Sequence, residues 1–323
     1  MDRYINIFST SGDVQTAVDN GELLKPYVAY VESEDKIDWN TKNPPIDYSQ
    51  VPLTVVALNS GSVKLEKTYN TATKYKYIKN NESPVSGYVS STQYIEVPLV
   101  EGDELVIIGY QNSQYGGIKV SVSSDFSFNL KGNITSTILG DVTEYPRNNY
   151  NNGNTYGLNV SGSKIVDASD LWIPVSKYEI TKEMFKNCSV MTKAPKILPN
   201  TVLYRNCYEG MFKNCYALTT SPILPATTLA EYCYSEMFMY CTSLTKAPDL
   251  LAETLTPWCY NYMFLWCTKL DSVRCLATDI SASKCTREWL EVVMSNGTFT
   301  KKSGVTWPAG ESGIPSGWTV IEE

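Results

Sequence analysis

The last third of the chain repeats one hydrophobic word. Met-Phe stands at Met184-Phe185, Met211-Phe212, Met237-Phe238 and Met263-Phe264, at intervals of 27, 26 and 26 residues. Cysteines keep the same beat in two series, Cys188, Cys215, Cys241 and Cys267, and Cys207, Cys233, Cys259 and Cys285. A fixed period of this length marks a solenoid: no unit buries its apolar face alone, so neighbours stack and equivalent residues form ladders. Within a unit, apolar residues recur in steps of four: Leu203, Cys207, Met211 and Cys215, then Leu229, Cys233, Met237 and Cys241, then Leu255, Cys259, Met263 and Cys267. Steps of four keep side chains on one face of a helix. Each unit is therefore predicted to carry a helix, with Phe212, Phe238 and Phe264 widening its apolar stripe. Pro195, Pro222 and Pro248, then Pro199 and Pro225, exclude a helix from the other half, because proline removes a backbone donor. A further helix is predicted over residues 287–295, and an extended closing tail from Gly297.

The front of the chain reads differently. Alternating or β-rich runs at 51–58, 62–69, 74–78, 94–97, 105–110, 117–122 and 126–130 are separated by turn signals such as Asn59-Ser60-Gly61. Strands at this spacing predict a small sandwich over residues 51–140. Residues 1–50 hold a short helix pattern at 14–20, a strand pattern at 25–32 and an Asn43-Pro44-Pro45 linker. That piece is too small for a good core, so it is read as a docking segment. Residues 141–178 read as a loop-rich connector, with an Asn-, Gly- and Tyr-rich surface loop at 145–163. The expected fold is mixed α and β: docking segment, β-sandwich, connector, and a repeat solenoid with a C-terminal cap over 179–323.

The words CTSLTKAPDL, LPATTLAEYCYSEMF and SGIPSGWTV resemble the leucine-rich repeats of Bacteroides-type surface proteins, the BspA-like class. The runs VEGDELVIIGY and FSFNLKGNITSTILGD resemble the β-module that precedes such repeats, which extends the likeness to residues 51–323. Val273-Arg274 replaces Ala-Pro and Asp279-Ile280 replaces Thr-Leu in the last copy, a decay suited to a cap. Residues 10–45 are similar to N-terminal segments of virion proteins from phages of gut Bacteroidales. The resemblance implies a surface-exposed, non-enzymatic protein.

Composition narrows the chemistry. The formal net charge is −7 and no basic stretch stands out, so the footprint of a nucleic-acid binder is missing. Histidine is absent, which excludes a His-based triad, an imidazole base and a His metal ligand. No Cys-x-x-Cys pair suggests zinc, so no metal and no cofactor are expected. The nine cysteines are read as a ladder of buried thiols behaving as small hydrophobes, not as disulfides. The carboxylates at Glu32, Glu34 and Asp35, and at Glu101, Asp103 and Glu104, read as solvated faces, and no catalytic residue is assigned. No run approaches the ~18 apolar residues of a membrane span. Residues 1–8 lack the apolar core of a secretion signal.

One feature points to a ligand. With the units aligned on their cysteines, Asn206 becomes Tyr232 and then Trp258, and Asn214 becomes Tyr240 and then Trp266. These positions flank the buried stripe, and exposed aromatics hold sugar rings or protein hot spots. Together these readings predict a bacteriophage virion surface protein: a head fibre, decoration protein or tail-associated adhesin. Residues 1–50 would bind other virion proteins, and the repeats would contact a host-surface glycan or protein. A homo-oligomer, a trimer above all, suits a fibre. The alternative is a bacterial cell-surface adhesin.

Overall fold

The computed structural model describes residues 6–8, 28–31, 36–39, 53–67, 73–89, 94–110, 118–134, 160–173 and 181–323. The chain divides into two compact units, residues 1–50 and 51–323. In the first, β1 (Asn6–Phe8) pairs in parallel with β2 (Val28–Val31), which pairs antiparallel with β3 (Lys36–Trp39). The helix expected at 14–20 lies outside the described residues.

The second unit opens with β4 (Leu53–Ala57), β5 (Gly61–Lys67), β6 (Thr73–Lys79), β7 (Val85–Val89), β8 (Ile95–Leu99), β9 (Glu104–Tyr110), β10 (Ile118–Val122), β11 (Ser127–Asn133) and β12 (Lys164–Trp172). A six-stranded sheet runs β12-β11-β4-β9-β6-β7, and a three-stranded sheet runs β10-β5-β8. Period-two alternation puts Val63, Leu65, Val97, Leu105, Ile107, Phe128 and Leu130 in the core. β7 was not expected from the sequence, and β12 falls within the predicted connector. β12 pairs in parallel with β11 on one side, and its Asp167 bridges Lys193, which bridges Thr220. It is thus both the last strand of the sheet and the first rung of the coil stack, and one continuous core runs from Leu53 to Trp318.

The coils correct the expected mixed α and β class. Among the described residues there is no α-helix, and the protein is predominantly β. An α-helix needs N–H bonds to the carbonyl four residues back. Here the N–H groups of Cys207, Glu209, Met211, Lys213 and Cys215 reach three residues back, at 3.1–3.3 Å. Those of Tyr208, Gly210, Phe212 and Asn214 instead bond carbonyls of Cys233, Ser235, Met237 and Met239 in the next coil, at 2.8–3.0 Å. Every fourth residue is left-handed: Asn206, Gly210 and Asn214 at φ 58°, 59° and 63°, then Tyr232, Glu236 and Tyr240, then Trp258, Tyr262 and Trp266. Two residues point inward and two outward in each four. This gives Cys207-Tyr208 in, Glu209-Gly210 in the outward-facing pair, and Met211-Phe212 in. The residues expected to form a last helix at 287–295 continue the same pattern, with Lys284, Glu288 and Val292 left-handed.

The inward positions form ladders. Phe185, Phe212, Phe238 and Phe264 stack at centroid distances of 5.4, 5.5 and 5.6 Å, and Tyr208, Tyr234 and Tyr260 at 5.8 and 6.1 Å. Met211, Met237, Met263 and Cys207, Cys215, Cys233, Cys241, Cys259 and Cys267 are buried with them. All nine cysteines are free thiols. The thiols of Cys215, Cys241 and Cys267 donate to the carbonyls of Phe185, Phe212 and Phe238 in the preceding coil, at 3.1, 3.2 and 3.0 Å. Such weak S–H bonds let a small apolar residue engage a carbonyl lone pair that a hydrocarbon would cover.

The stack closes on tryptophan. β13 (Ser272–Cys275), β14 (Thr298–Lys301) and β15 (Thr319–Glu322) form a parallel sheet. Trp289 is fully buried, stacks on Tyr260 at 5.9 Å and on Trp307 at 5.5 Å, and donates its indole N–H to the Gly313 carbonyl at 2.9 Å.

Candidate functional site

The coil geometry decides what the outward face can present. Its three left-handed rows are Asn206–Tyr232–Trp258–Lys284, Gly210–Glu236–Tyr262–Glu288 and Asn214–Tyr240–Trp266–Val292. Bonds between adjacent coils, such as Trp258 N–H to Ser283 O at 3.1 Å and Trp266 N–H to Glu291 O at 3.0 Å, hold these rows in register. Asparagine and glycine enter the left-handed region readily; tyrosine, tryptophan and valine do not. Numbered by their Met-Phe pairs at 184–185, 211–212, 237–238 and 263–264, coils three and four therefore accept strain at the very places where asparagine becomes aromatic.

The four predicted ring positions come together in two pairs. Tyr232 stacks on Trp258 at 5.5 Å with 16° between planes, and Tyr240 on Trp266 at 5.9 Å with 20°. Both pairs lie on the outside, Tyr232, Tyr240 and Trp258 partly buried and Trp266 43% exposed. The ring faces look along the stack and their edges look outward. A free sugar-stacking platform is thus limited to the ends of each row. The first row is flanked by cations that sequence spacing did not reveal: the Arg205 guanidinium lies 5.7 Å from the Tyr232 centroid and the Lys284 ammonium 4.4 Å from that of Trp258. Arg205 stands one place off the row, which is why aligning the repeats misses it.

Other candidates resolve into structure. The Asp103 carboxylate accepts from Asn80 Nδ2 at 2.7 Å, Lys79 Nζ at 2.9 Å and the Val100 N–H at 2.9 Å. These bonds, the Asn80 one above all, bring its pKa down to about 2. It ties a turn together. Glu104 pairs with Lys131 at 2.7 Å. Glu32, Glu34, Asp35 and residues 145–159 lie outside the described residues. These thiols are held far from nucleophilic form: burial pushes Cys188, Cys259 and Cys275 up to about 12, and raises Cys215, Cys233, Cys241, Cys267 and Cys285. Among the described residues no three His, Cys, Asp or Glu side chains are arranged to hold a metal ion, and no helix is long and apolar enough to cross a membrane. The sequence matches no family model, and no curated protein or solved structure matches it.

Proposed function

We propose that the protein is a non-enzymatic recognition protein on the surface of a bacteriophage particle. Its coils present the aromatic ridge to a host-surface glycan or protein, and residues 1–50 attach it to other virion proteins. The carrying observation is the ridge itself. Tyr232, Tyr240, Trp258 and Trp266 all stand at φ near 60°, in rows that begin with asparagine at Asn206 and Asn214. A left-handed L residue costs about 1–2 kcal/mol, and an aromatic pair returns about 0.5–1.5 kcal/mol. Two stacked pairs do not offset four strained residues, so stability alone does not account for the rings. Strain kept at an exposed aromatic cluster is a reason to assign it recognition. The particle assignment is supported by the likeness of residues 10–45 to virion segments and by the separation of residues 1–50 as a compact unit.

Two measurements test the reading. Mass spectrometry of purified particles is expected to find peptides from residues 1–50 and from the coils at a copy number tied to particle symmetry. Recovery only from a bacterial envelope fraction would leave the bacterial adhesin instead. The Tyr240→Ala/Trp266→Ala double variant is expected to lose adsorption to host cells while keeping its fold. Unchanged adsorption would remove the ridge from the function.

A further inference from the structure

Three outward rings of the coils carry a cation from their own chain. Arg205 lies over Tyr232, Lys284 over Trp258, and Arg287 over Tyr262 at 5.1 Å. The Tyr240–Trp266 pair differs. Where the first row has Lys284 after Trp258, the third row has Val292 after Trp266. Among the described residues, no cation lies over Tyr240 or Trp266. Trp266 is 43% exposed; Val292, next in its row, is exposed too, as are Tyr216 and Met294, each two residues past the same row on the coils to either side of the pair. Glu291 lies on the next coil, its backbone carbonyl accepting the Trp266 N–H at 3.0 Å, which puts a carboxylate-bearing residue one coil from the ring. Arg287 answers Glu288 at 3.0 Å, whereas Glu291 and Glu311 enter no ion pair among the described residues. Desolvation, together with the neighbouring Glu288 and Glu311 carboxyls, holds Glu291 above the usual carboxylate range.

We infer that the Tyr240–Trp266 pair is the contact point for a lysine or arginine side chain of a partner polypeptide. The indole supplies the ring quadrupole that the chain's own cations occupy on the other rings. Glu291 and Glu311 supply the opposite charge, and Tyr216, Val292 and Met294 supply apolar surface for the aliphatic stem. This rests on the recognition reading and selects protein over neutral glycan as the ligand.

The probe is a tetra-arginine amide titrated into the full chain at low salt, followed by isothermal titration calorimetry in wild type and every variant, with the Trp266 indole NMR signal locating the contact in wild type. Saturable binding that weakens with salt is expected. Trp266→Ala should lower affinity by about five- to thirtyfold, Glu291→Gln severalfold, and Tyr94→Ala, an exposed ring on the sandwich, should leave it unchanged. Trp266→Leu keeps an apolar side chain without the indole ring and should resemble Trp266→Ala, which guards against loss of fold. Equal binding by wild type and both Trp266 variants would overturn the inference. So would loss through Glu291→Gln alone, which is plain charge, or a neutral oligosaccharide binding at Trp266 where tetra-arginine does not. If tetra-arginine fails while the double variant still loses host adsorption, this inference falls and the recognition reading stands.

Discussion

Replacing Gly210 by alanine separates the coil geometry from a helix by the sign of the effect. In a helix interior, alanine is better than glycine by about 1 kcal/mol. Here Gly210 sits at φ +59°, and an added Cβ would meet the Glu183 Cγ at 3.3 Å, a contact that a flexible side chain can relieve. Steric room is therefore a minor cost, and conformation is the major one. A left-handed alanine costs about 1–2 kcal/mol. Reduced freedom of the unfolded chain returns about 0.4–1 kcal/mol. The net is a loss of about 1 kcal/mol, opposite in sign to the helical case. For a domain of this size that is a fall in Tm of about 2–4 °C. Thermal unfolding by circular dichroism and a parallel urea titration measure it. Val292→Asn, at φ 58°, gives the complementary result: a β-branched residue leaves the left-handed region and stability rises, by on the order of 1 kcal/mol. A Gly210→Ala variant that melts higher than wild type would refute the four-residue left-handed turn.

Three further outcomes follow from the ladders. Phe238→Ala removes a fully buried ring stacked at 5.5 and 5.6 Å on both sides; chemical denaturation should show a loss of about 3–5 kcal/mol, and a loss below about 1 kcal/mol would contradict the stack. Tyr208 donates its hydroxyl to Asn200 Oδ1 at 3.1 Å, but Ala226 replaces that asparagine one coil on, and the buried Tyr234 hydroxyl has no partner among the described residues; Tyr208→Phe should cost about 1 kcal/mol while Tyr234→Phe is neutral or stabilising. Burial raises Cys188, Cys259 and Cys275 from an ordinary 9.0 to about 12, so their contribution is complete below pH 9 and is lost as pH rises toward 12. At pH 10.5 each thiol has given up about 2 kcal/mol, together about 6 kcal/mol, comparable with the whole stability of a domain; a tertiary signal intact beyond pH 11 would contradict this.

The period of the repeat was legible because Met-Phe and cysteine recur in order, and equivalent residues do stack one coil apart. The conformation inside each coil was not. Two residues in and two out gives a period of four, close enough to 3.6 to pass for a helix. The distinguishing signal was in the outward residues. Asn206, Gly210 and Asn214 stand four apart and all favour the left-handed region, yet Tyr232, Glu236 and Tyr240 hide that preference in the next coil. A true helix also mixes steps of three with steps of four, and Leu203, Cys207, Met211 and Cys215 contain no step of three. β7 was missed because Val85-Ser86-Gly87-Tyr88-Val89 buries only its last residue, so it carries little alternation. The aromatic rows were readable by aligning units. Of their cations, Lys284 holds the fourth place of its row and lay within reach of the same alignment, whereas Arg205 stands one place off it.

The division of labour within four residues explains how such a face can diverge while its core stays constant. Inward, coils two, three and four repeat Cys-Tyr, Met-Phe and Cys without change, and the ladders they form are fully or almost fully buried. Outward, the same coils read Asn, Tyr, Trp in the first row, Gly, Glu, Tyr in the second and Asn, Tyr, Trp in the third. Because each left-handed residue keeps its backbone bonds to the next coil whatever its side chain, an outward substitution changes strain and surface chemistry without breaking register. Strain is the constraint that remains. It grows with each asparagine or glycine replaced, and it is only partly offset where successive rings stack or a cation covers them. The first row meets that condition along its length, with Arg205 at one end and Lys284 at the other. The third row stops at Trp266 beside Val292, so its last ring keeps the cost of the left-handed backbone without the covering charge. A partner's cation would complete there what the chain completes for itself on the first row.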